Sequence, residues 1–331
     1  MIPATQKLYN DQILTEAAKR FGSSMQQTKD LGGFESFVYE IERGDGQQFI
    51  MKITHSVRRT KDYLMGELEF VNYLAVNGVQ TPAAISSVNG ELIEMIEAKE
   101  GYFLAYTFEK AEGRLIEVKD WSADLLQEWG RVLGQMHRLT KDFTPSKPKY
   151  KRQEWWEDDM FANRRKYIPT DAKHEKALEV MDVLLEQIAA LPTAKDGYGL
   201  IHGDLHQSNF FINEQKKIIP FDFDDCEYHH FINDIAIVMY HLLQNNKFGF
   251  LQKDKKESAD FILTNLMEGY LKENTLDDFW LQKLPLFVRK RRALFLSVYH
   301  LIWKGKELNE NELEWMERLR REVEEEDKLF F

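Results

Sequence analysis

Two polar segments, each beside a short apolar run, constrain the fold of this chain more than any other feature of its sequence. The first segment, His202–Asn209, lies between the apolar runs Gly199–Ile201 and Phe210–Ile212. The second, Pro220–Asp224, lies at the end of the run Lys217–Phe221. Short apolar runs bounded by glycine and polar residues are typical of buried strands. We therefore predict that both polar segments are loops held in place by strands.

The residue types in these loops suit the transfer of a phosphoryl group from a nucleotide. A carboxylate must lie near the attacking hydroxyl, while a carboxamide and a second carboxylate hold magnesium against the phosphates. Protein kinases meet these needs with an H-R-D-x-x-x-x-N loop followed by D-F-G. Here Asp204 takes the place of the catalytic aspartate, and Asn209 and Asp222 take the places of the two metal ligands.

The same residues carry a resemblance to a known family. The loop H-G-D-L-H-x-x-N followed by D-F-D-D resembles the signature of the aminoglycoside phosphotransferase and choline kinase superfamily, and the order of motifs agrees along nearly the whole chain. Within it, the chain is most similar to bacterial members of unassigned substrate. The resemblance implies that His202 braces the catalytic loop. It also implies that Asp234 ties the helix it opens to that loop, although Asp234 could equally be a helix-start residue.

The apolar pattern changes along the chain. Up to Phe108 it indicates strands and turns with one long helix, Thr60–Val76, whereas from Trp121 onward it is mainly helical. Together with the resemblance, this predicts an α+β, two-lobed protein-kinase-like fold. We expect a small β-rich nucleotide-binding lobe over residues 1–108 and a larger, mainly helical catalytic and substrate lobe over residues 109–331.

The first of these parts contains a candidate lysine for the phosphates. Lys52 lies in the strand Phe49–Ile53, which is similar to the kinase V-A-I-K element, so Lys52 is expected to hold the α and β phosphates. A glutamate on the following helix is expected to orient it. We favour Glu67, with Glu69 as the alternative, because the two lie on different faces of the helix.

Two further segments are candidates for nucleotide contacts. Gly32 and Gly33 stand where a glycine-rich phosphate lid belongs, but the full G-x-G-x-x-G pattern is missing and a plain hairpin turn is the alternative. The backbone from Thr107 to Glu109 is expected to face the purine edge. The implied cofactors are ATP or GTP, with Mg²⁺.

Composition limits the partners of the chain. Its 331 residues carry a net charge of −11, which disfavours nucleic acid binding. Cys226 is the only cysteine, so an internal disulfide is impossible, and this fits a reducing environment. The sequence shows neither an N-terminal apolar signal segment nor an apolar run long enough to span a bilayer. We therefore expect a cytoplasmic protein without a membrane partner; the sequence does not address its oligomeric state.

The acceptor is expected to be small. Asp222 is followed almost at once by the helix at Asp234, which leaves little room for a peptide-docking activation segment, and Gly203 replaces the arginine usual in protein kinases. A nucleotide-binding pseudokinase and a protein Ser/Thr kinase are the alternatives. The first is disfavoured because every motif residue is present, and the second because the activation segment is missing.

Acidic residues beside the second loop suggest the chemistry of the acceptor. Asp224, Asp225 and Glu227 follow Asp222 closely and would form a negative rim, unless individual side chains pair with nearby Lys or Arg. We therefore predict a hydroxylated metabolite or antibiotic that also carries a protonated amine. The basic run Arg289–Arg292 is predicted to be the solvated face of a helix.

The two aspartates are expected to respond differently to substitution. Asp204→Asn should nearly abolish phosphoryl transfer while leaving nucleotide affinity close to normal, because the base acts on the acceptor. Asp222→Ala should weaken binding of the magnesium nucleotide as well as turnover. Calorimetry with ATP and a coupled turnover assay separate the two effects. Wild-type kcat in Asp204→Asn would show that the base is assigned to the wrong residue.

Overall fold

The computed structural model describes residues 3–33, 36–244 and 255–325. Its strands are β1 (Thr28–Gly32), β2 (Phe37–Glu42), β3 (Gln48–His55), β4 (Ala84–Ile85), β5 (Ile93–Glu97), β6 (Tyr102–Glu109), β7 (Tyr198–Ile201), β8 (Phe210–Ile212), β9 (Ile218–Pro220) and β10 (Glu227–His230). Its helices are α1 (Pro3–Leu8), α2 (Asp11–Arg20), α3 (Lys61–Val76), α4 (Ala123–Thr140), α5 (Asp159–Ala162), α6 (Arg164–Tyr167), α7 (Glu175–Ala189), α8 (Ile232–Gln244), α9 (Lys255–Tyr270), α10 (Asp278–Leu281), α11 (Leu284–Ile302) and α12 (Glu310–Glu324).

The N-terminal strands form an antiparallel sheet of six strands. Its order is β1-β2-β3-β6-β4, and β5 also pairs with β6. The strands β2 and β3 form a hairpin in which Glu42 lies opposite Gln48. The Asp45 side chain closes the turn by accepting a hydrogen bond from the Gln47 amide at 3.0 Å. Gly46 has a φ of +82°, a conformation that glycine adopts at little cost.

Alternation along β3 places Lys52 on the opposite face from the core. Met51 and Ile53 are fully buried in a cluster with the helix α2, and successive strand residues point to opposite faces. The other members of that cluster are Ile13, Leu14, Ala17, Ala18, Phe21, Tyr39, Ile41, Phe49, Ile96, Phe103 and Ala105. The apolar packing therefore fixes the face from which the Lys52 side chain projects.

The helix α3 follows its sequence signals closely. Thr60 caps its first turn by accepting a hydrogen bond from the Tyr63 amide at 3.2 Å. Asn77 ends the helix, and Gly78 follows with a φ of +90°. The predicted helix Thr60–Val76 is thus confirmed to within one residue. Glu67 is one of its buried residues, which is unusual for a carboxylate.

The C-terminal helices pack through small residues as well as apolar ones. A side chain at Gly130 of α4 would place Cβ 1.8 Å from the Leu266 carbonyl oxygen of α9. The same distance separates a Cβ at Gly269 from the Gln127 carbonyl oxygen. Glycine at both positions therefore lets the two helix backbones approach closely. A separate apolar cluster joins α7, α11 and α12 through residues such as Met181, Leu296, Leu319 and Val323.

The chain forms two compact units. The first contains residues 1–114, 143–152 and 211–224, and the second contains residues 115–142, 153–210 and 225–331. The catalytic loop lies in the second unit, whereas Asp222 and Asp224 lie in the first. The predicted boundary at residues 108 and 109 stays a prediction. No helix in the described ranges is both long and apolar enough to cross a membrane.

Two features of the second unit differ from expectation. Residues Glu227–His230 form the strand β10, antiparallel to β7, although their polar and aromatic side chains give no strand pattern. The prediction of a solvated face for Arg289–Arg292 is wrong, because Lys290 and Arg292 are only 4% and 1% exposed. The run of basic residues suggested a solvent-exposed surface, but Lys290 contacts His229 and Arg292 donates to the Glu322 carbonyl oxygen.

Because α4 and α9 approach closely, we predict that a larger residue at their contact destabilises the protein. Gly130→Ala should lower the free energy of unfolding by about 1–3 kcal/mol, because the added methyl collides with backbone that cannot rotate away. Gly44→Ala is the matched control, since nothing lies within 4 Å of its Cβ, and we expect a change within about 0.5 kcal/mol. Chemical denaturation of both variants measures the difference. Equal stability of the two would mean that α4 and α9 are not in contact there.

Candidate active site

The catalytic loop begins with a glycine that the backbone requires. Gly203 has a φ of +81°, and a Cβ at this position would lie 2.3 Å from the Asp225 carbonyl oxygen. Both the conformation and the space therefore exclude a side chain. This gives a local reason why the loop has glycine before Asp204, where many protein kinases have arginine.

The buried carboxylate of Asp234 holds this loop. Its oxygens accept hydrogen bonds from the amides of His202 and Gly203 at 3.1 and 3.0 Å. His137 Nε2, from α4, lies 3.1 Å from Asp234 Oδ2, and the side chains of both residues are fully buried. Asp234 thus makes hydrogen bonds that link α8, α4 and the loop.

Three side chains of the second unit lie around Asp204. Arg291 Nη2 donates to its Oδ1. Asn209 Nδ2 donates to its carbonyl oxygen at 2.9 Å and to its Oδ2 at 3.1 Å. The Nδ1 of His206 accepts from the Ser208 amide at 3.1 Å, so its proton belongs on Nε2, 3.5 Å from Asp204 Oδ2.

The charge state of Asp204 follows from these contacts. Burial raises the pKa of its carboxyl group, but Arg291 and His206 outweigh that effect and hold the pKa well below its usual range. Asp204 is therefore ionised at neutral pH and can accept a hydrogen bond from a hydroxyl group. Asn209 uses its amide nitrogen for Asp204, which leaves its Oδ1 as a possible metal ligand.

In the first unit, Lys52 contacts Asp222. Their Nζ and Oδ1 atoms are 2.7 Å apart. Burial lowers the pKa of Lys52, but Asp222 more than offsets it, so the pKa lies above its usual value. Asp222 has a φ of +65°, which is uncommon for a residue other than glycine, and its side chain is 45% exposed. Its carboxylate is thus accessible to a metal ion.

Glu67 lies near Lys52 without a close contact. Its side chain is fully buried, and neither carboxylate oxygen has a hydrogen-bond partner in the described part of the chain. Burial and the charge of Asp224 raise its pKa to about 7, although Lys52 and Arg152 oppose the shift. The alternative, Glu69, instead accepts hydrogen bonds from the amide and hydroxyl of Ser146. The role of Glu67 as partner of Lys52 stays a prediction.

The three acidic residues predicted to bind the acceptor differ in their environments. Asp224 is 14% exposed and contacts Arg58 and Arg59, which hold its pKa well below its usual value despite burial. Its charge is therefore already compensated, which departs from the predicted open rim. Asp225 is exposed at the surface of the second unit.

Glu227 is buried beside Lys290, whose Nζ lies 4.0 Å from its carboxylate. Burial raises the pKa of Glu227 to about 8 and lowers that of Lys290. His229 accepts from the His230 amide through Nδ1, so its Nε2 carries the proton and faces Lys290 Nζ at 2.8 Å. Burial thus disfavours the charged forms of both side chains, and Glu227 is mainly protonated at pH 7. Glu227 therefore contributes little of the negative charge that the sequence suggested.

The remaining predicted contacts have local explanations in the structure. Gly32 has a φ of +75° at an irregularity in the pairing of β1 with β2, and a Cβ on Gly33 would lie 2.0 Å from the Ser36 carbonyl oxygen. Phe34 and Glu35, in the same predicted lid, lie outside the described residues. Thr107 and Glu109 belong to β6, where they form hydrogen bonds with Ile85 and Ala83, in and beside β4. Nucleotide contacts of the two glycines and of the two β6 residues stay predictions.

Sequence reasoning missed several residues of the site. Arg291 and His241 come from α11 and α8, far along the chain from Asp204, and no local pattern marks them. His137 had a signal, because it directly follows Met136 on the buried stripe of α4. A polar side chain that is fully buried in such a stripe needs a partner, and here the partner is Asp234.

Comparison with known proteins places this geometry in context. Residues 27–260 match the model of the phosphotransferase enzyme family. Amicoumacin kinase of Bacillus subtilis (strain 168) is 38% identical over 317 residues, which cover 96% of this chain and 92% of that protein. The structure of amicoumacin kinase hAmiN in complex with AMP-PNP, Ca²⁺ and Ami has 35% identity and a TM-score of 0.94, covering 100% of this chain and 98% of that one.

A more distant solved structure supports the fold. The microcompartment-associated aminopropanol kinase has a TM-score of 0.75 at 18% identity and covers 95% of each chain. Together with the β-sheet in the N-terminal part and the helices in the C-terminal part, these likenesses confirm the predicted α+β protein-kinase-like fold.

The carboxylate of Glu67 has no hydrogen-bond partner among the described residues, so we predict that replacing it raises stability and weakens nucleotide binding. Between pH 4.5 and about 7 the unfolded state loses this proton before the folded state does, so the raised pKa costs stability as pH rises. Glu67→Gln should therefore stabilise the nucleotide-free protein at pH 8, by up to about 3 kcal/mol, but not at pH 4. It should also weaken ATP binding if Glu67 orients Lys52.

Glu69→Gln is the matched control on the same helix. We expect no comparable gain in stability at pH 8 and no loss of ATP affinity, because Glu69 bonds Ser146 rather than facing Lys52. Denaturation at pH 4 and pH 8, with calorimetry for ATP, measures all four quantities. Weaker ATP binding in Glu69→Gln alone would assign the orienting glutamate to Glu69.

Proposed function

The chain belongs to the phosphotransferase enzyme family, and from that premise we propose that it transfers the γ-phosphoryl group of a magnesium nucleoside triphosphate to a hydroxyl of an amine-bearing antibiotic. Family membership confirms the predicted superfamily and the predicted class of enzyme. The observation that carries the choice of acceptor is the 38% identity to amicoumacin kinase across 96% of the chain. The solved relative in complex with AMP-PNP and Ca²⁺ agrees with the predicted nucleotide and divalent cation.

The described residues suit separate steps of this reaction. The ionised Asp204 would orient the acceptor hydroxyl and take its proton late in the transfer. Lys52 would bind the nucleotide phosphates, with Glu67 orienting it. Asn209 and Asp222 would hold Mg²⁺, which when bound supplies positive charge against the phosphates. Positioning and electrostatics would provide most of the acceleration.

For the amine of the acceptor, we propose Asp225, the one of the three acidic residues whose side chain is exposed. Asp224 is compensated by two arginines, and Glu227 is mainly protonated at neutral pH. Asp225 is exposed, and its backbone carbonyl packs against Gly203 of the catalytic loop. We therefore narrow the predicted acidic rim to Asp225 as the residue that would attract an ammonium group.

The alternatives lose support for specific reasons. A pseudokinase is expected to lack part of the motif set, whereas Lys52, Asp204, Asn209 and Asp222 are all present. A protein kinase needs an activation segment after its metal aspartate. In this chain the strand β10 and the start of α8 occupy most of the stretch between Asp222 and Asp234, which argues for a small acceptor.

Incubation with amicoumacin, ATP and Mg²⁺ tests the proposal, with mass spectrometry to detect one added phosphoryl group. We expect phosphorylation by the wild type, none with EDTA, and almost none by Asp204→Asn. Spectinomycin and choline serve as comparison acceptors. Thermal stabilisation by ATP with Mg²⁺ but no phosphorylation of any acceptor would leave the nucleotide site intact and remove the proposed acceptor class.

The amine is tested separately once an acceptor is found. The acceptor and its N-acetylated derivative differ in positive charge, so the charged form should have the higher kcat/KM. Asp225→Asn should reduce that preference, whereas Asp224→Asn should act mainly on stability, because it removes the carboxylate that Arg58 and Arg59 contact. Equal kcat/KM for the two acceptors would exclude recognition of the amine.

A further inference from the structure

Lys290 and Arg292 of the basic run on α11 are buried, and the side chains of the run reach different parts of the second unit. Lys290 faces His229, and Arg292 donates to the Glu322 carbonyl oxygen of α12. Arg291, between them in sequence, contacts Asp204. We propose that Arg291 is a positioning residue, which fixes the carboxylate of Asp204 for the acceptor hydroxyl. This inference rests on the proposed function of Asp204 as the catalytic base.

Several groups hold the Arg291 side chain in place. Its Nη2 contacts Asp204 Oδ1 and lies 3.1 Å from His241 Nε2 of α8. Its guanidinium carbon lies 5.1 Å from the centre of the Phe295 ring, one turn further along α11. The arginine side chain is only 10% exposed. Because helix, ring and imidazole restrict it together, the guanidinium group is a fixed support rather than a mobile surface charge.

The contact restricts the rotation of the Asp204 carboxylate. Arg291 contacts Oδ1, whereas Asn209 and His206 face Oδ2. Since different donors face the two oxygens, the plane of the carboxylate is defined. An acceptor hydroxyl must meet a lone pair in a set direction for proton transfer to accompany phosphoryl transfer, so a defined plane favours reaction.

Stability alone does not account for Arg291 at this position. Its Nε atom is buried and has no hydrogen-bond partner among the described residues. Burying a guanidinium group with an unsatisfied donor is costly, and apolar side chains often replace buried ion pairs without loss of stability. A role in orienting the base explains why the chain retains the arginine.

The kinetics of Arg291→Met test the proposal. The rate measured is phosphorylation of the acceptor by ATP and Mg²⁺. If no acceptor has been found, hydrolysis of ATP by water is measured instead. We expect kcat to fall about 10–100-fold, with little change in the Kd for ATP. Arg291→Lys should recover part of the loss, since it restores a cation but not the planar donor. Arg289→Met, on the same helix, makes the same change of charge away from these contacts and should keep wild-type kcat.

A double-mutant cycle with Asp204→Asn separates positioning from general support of the fold. If Arg291 acts through Asp204, the variant carrying both Asp204→Asn and Arg291→Met should be no slower than Asp204→Asn alone. The proposal would be overturned if the double variant lost kcat by the product of the two single losses. It would also be overturned if Arg291→Met kept the wild-type kcat. Arg292→Met is the control for a purely structural role. We expect its thermal stability to fall while the kcat of the folded protein stays unchanged. A wild type that binds ATP but gives no turnover with acceptors or water would remove the proposed base and this inference together.

Discussion

The fully buried carboxylate of Asp234 is the constraint on which the catalytic loop depends. A buried charge is tolerated only when hydrogen bonds satisfy it, and Asp234 obtains them from two loop amides and from His137. Those donors belong to α4 and to the segment after β7, so these elements must assemble together around α8. Gly203 makes this possible because its positive φ would strain a residue with a side chain, and a Cβ would collide with the Asp225 carbonyl oxygen.

The first unit solves a different electrostatic problem. Three carboxylates lie near Lys52 within this unit, and each has a distinct state. Asp222 is paired with Lys52 and exposed, Asp224 is compensated by arginines, and Glu67 has no close partner and a pKa of about 7. A site for a polyanionic nucleotide needs a positive charge that is fixed in position and still able to bind the phosphates. The unpaired Glu67 shows that this arrangement is not the most stable one for the protein alone.

Local sequence signals predicted the parts of the structure that short-range physics determines. The helix Thr60–Val76 and the strand Phe210–Ile212 each depend on neighbouring residues, and each was predicted to within one residue. The strand β10 was not, because its pairing with β7 depends on the fold rather than on its own residues. Arg291 and His241 were missed for the same reason, since only tertiary structure brings them to Asp204.

The acidic segment after Asp222 shows why counting charges in a sequence can mislead. Asp224, Asp225 and Glu227 carry the same formal charge, yet one is paired with arginines, one is exposed, and one is buried next to a lysine. Burial disfavours the charged forms of both Glu227 and Lys290, so this pair contributes little field at neutral pH. The electrostatic attraction for a cationic acceptor thus depends on far fewer groups than the sequence suggests. Selectivity for an amine would then require that other contacts, from side chains outside these motifs, hold the acceptor close to Asp225, since a single exposed carboxylate attracts a cation only weakly in water.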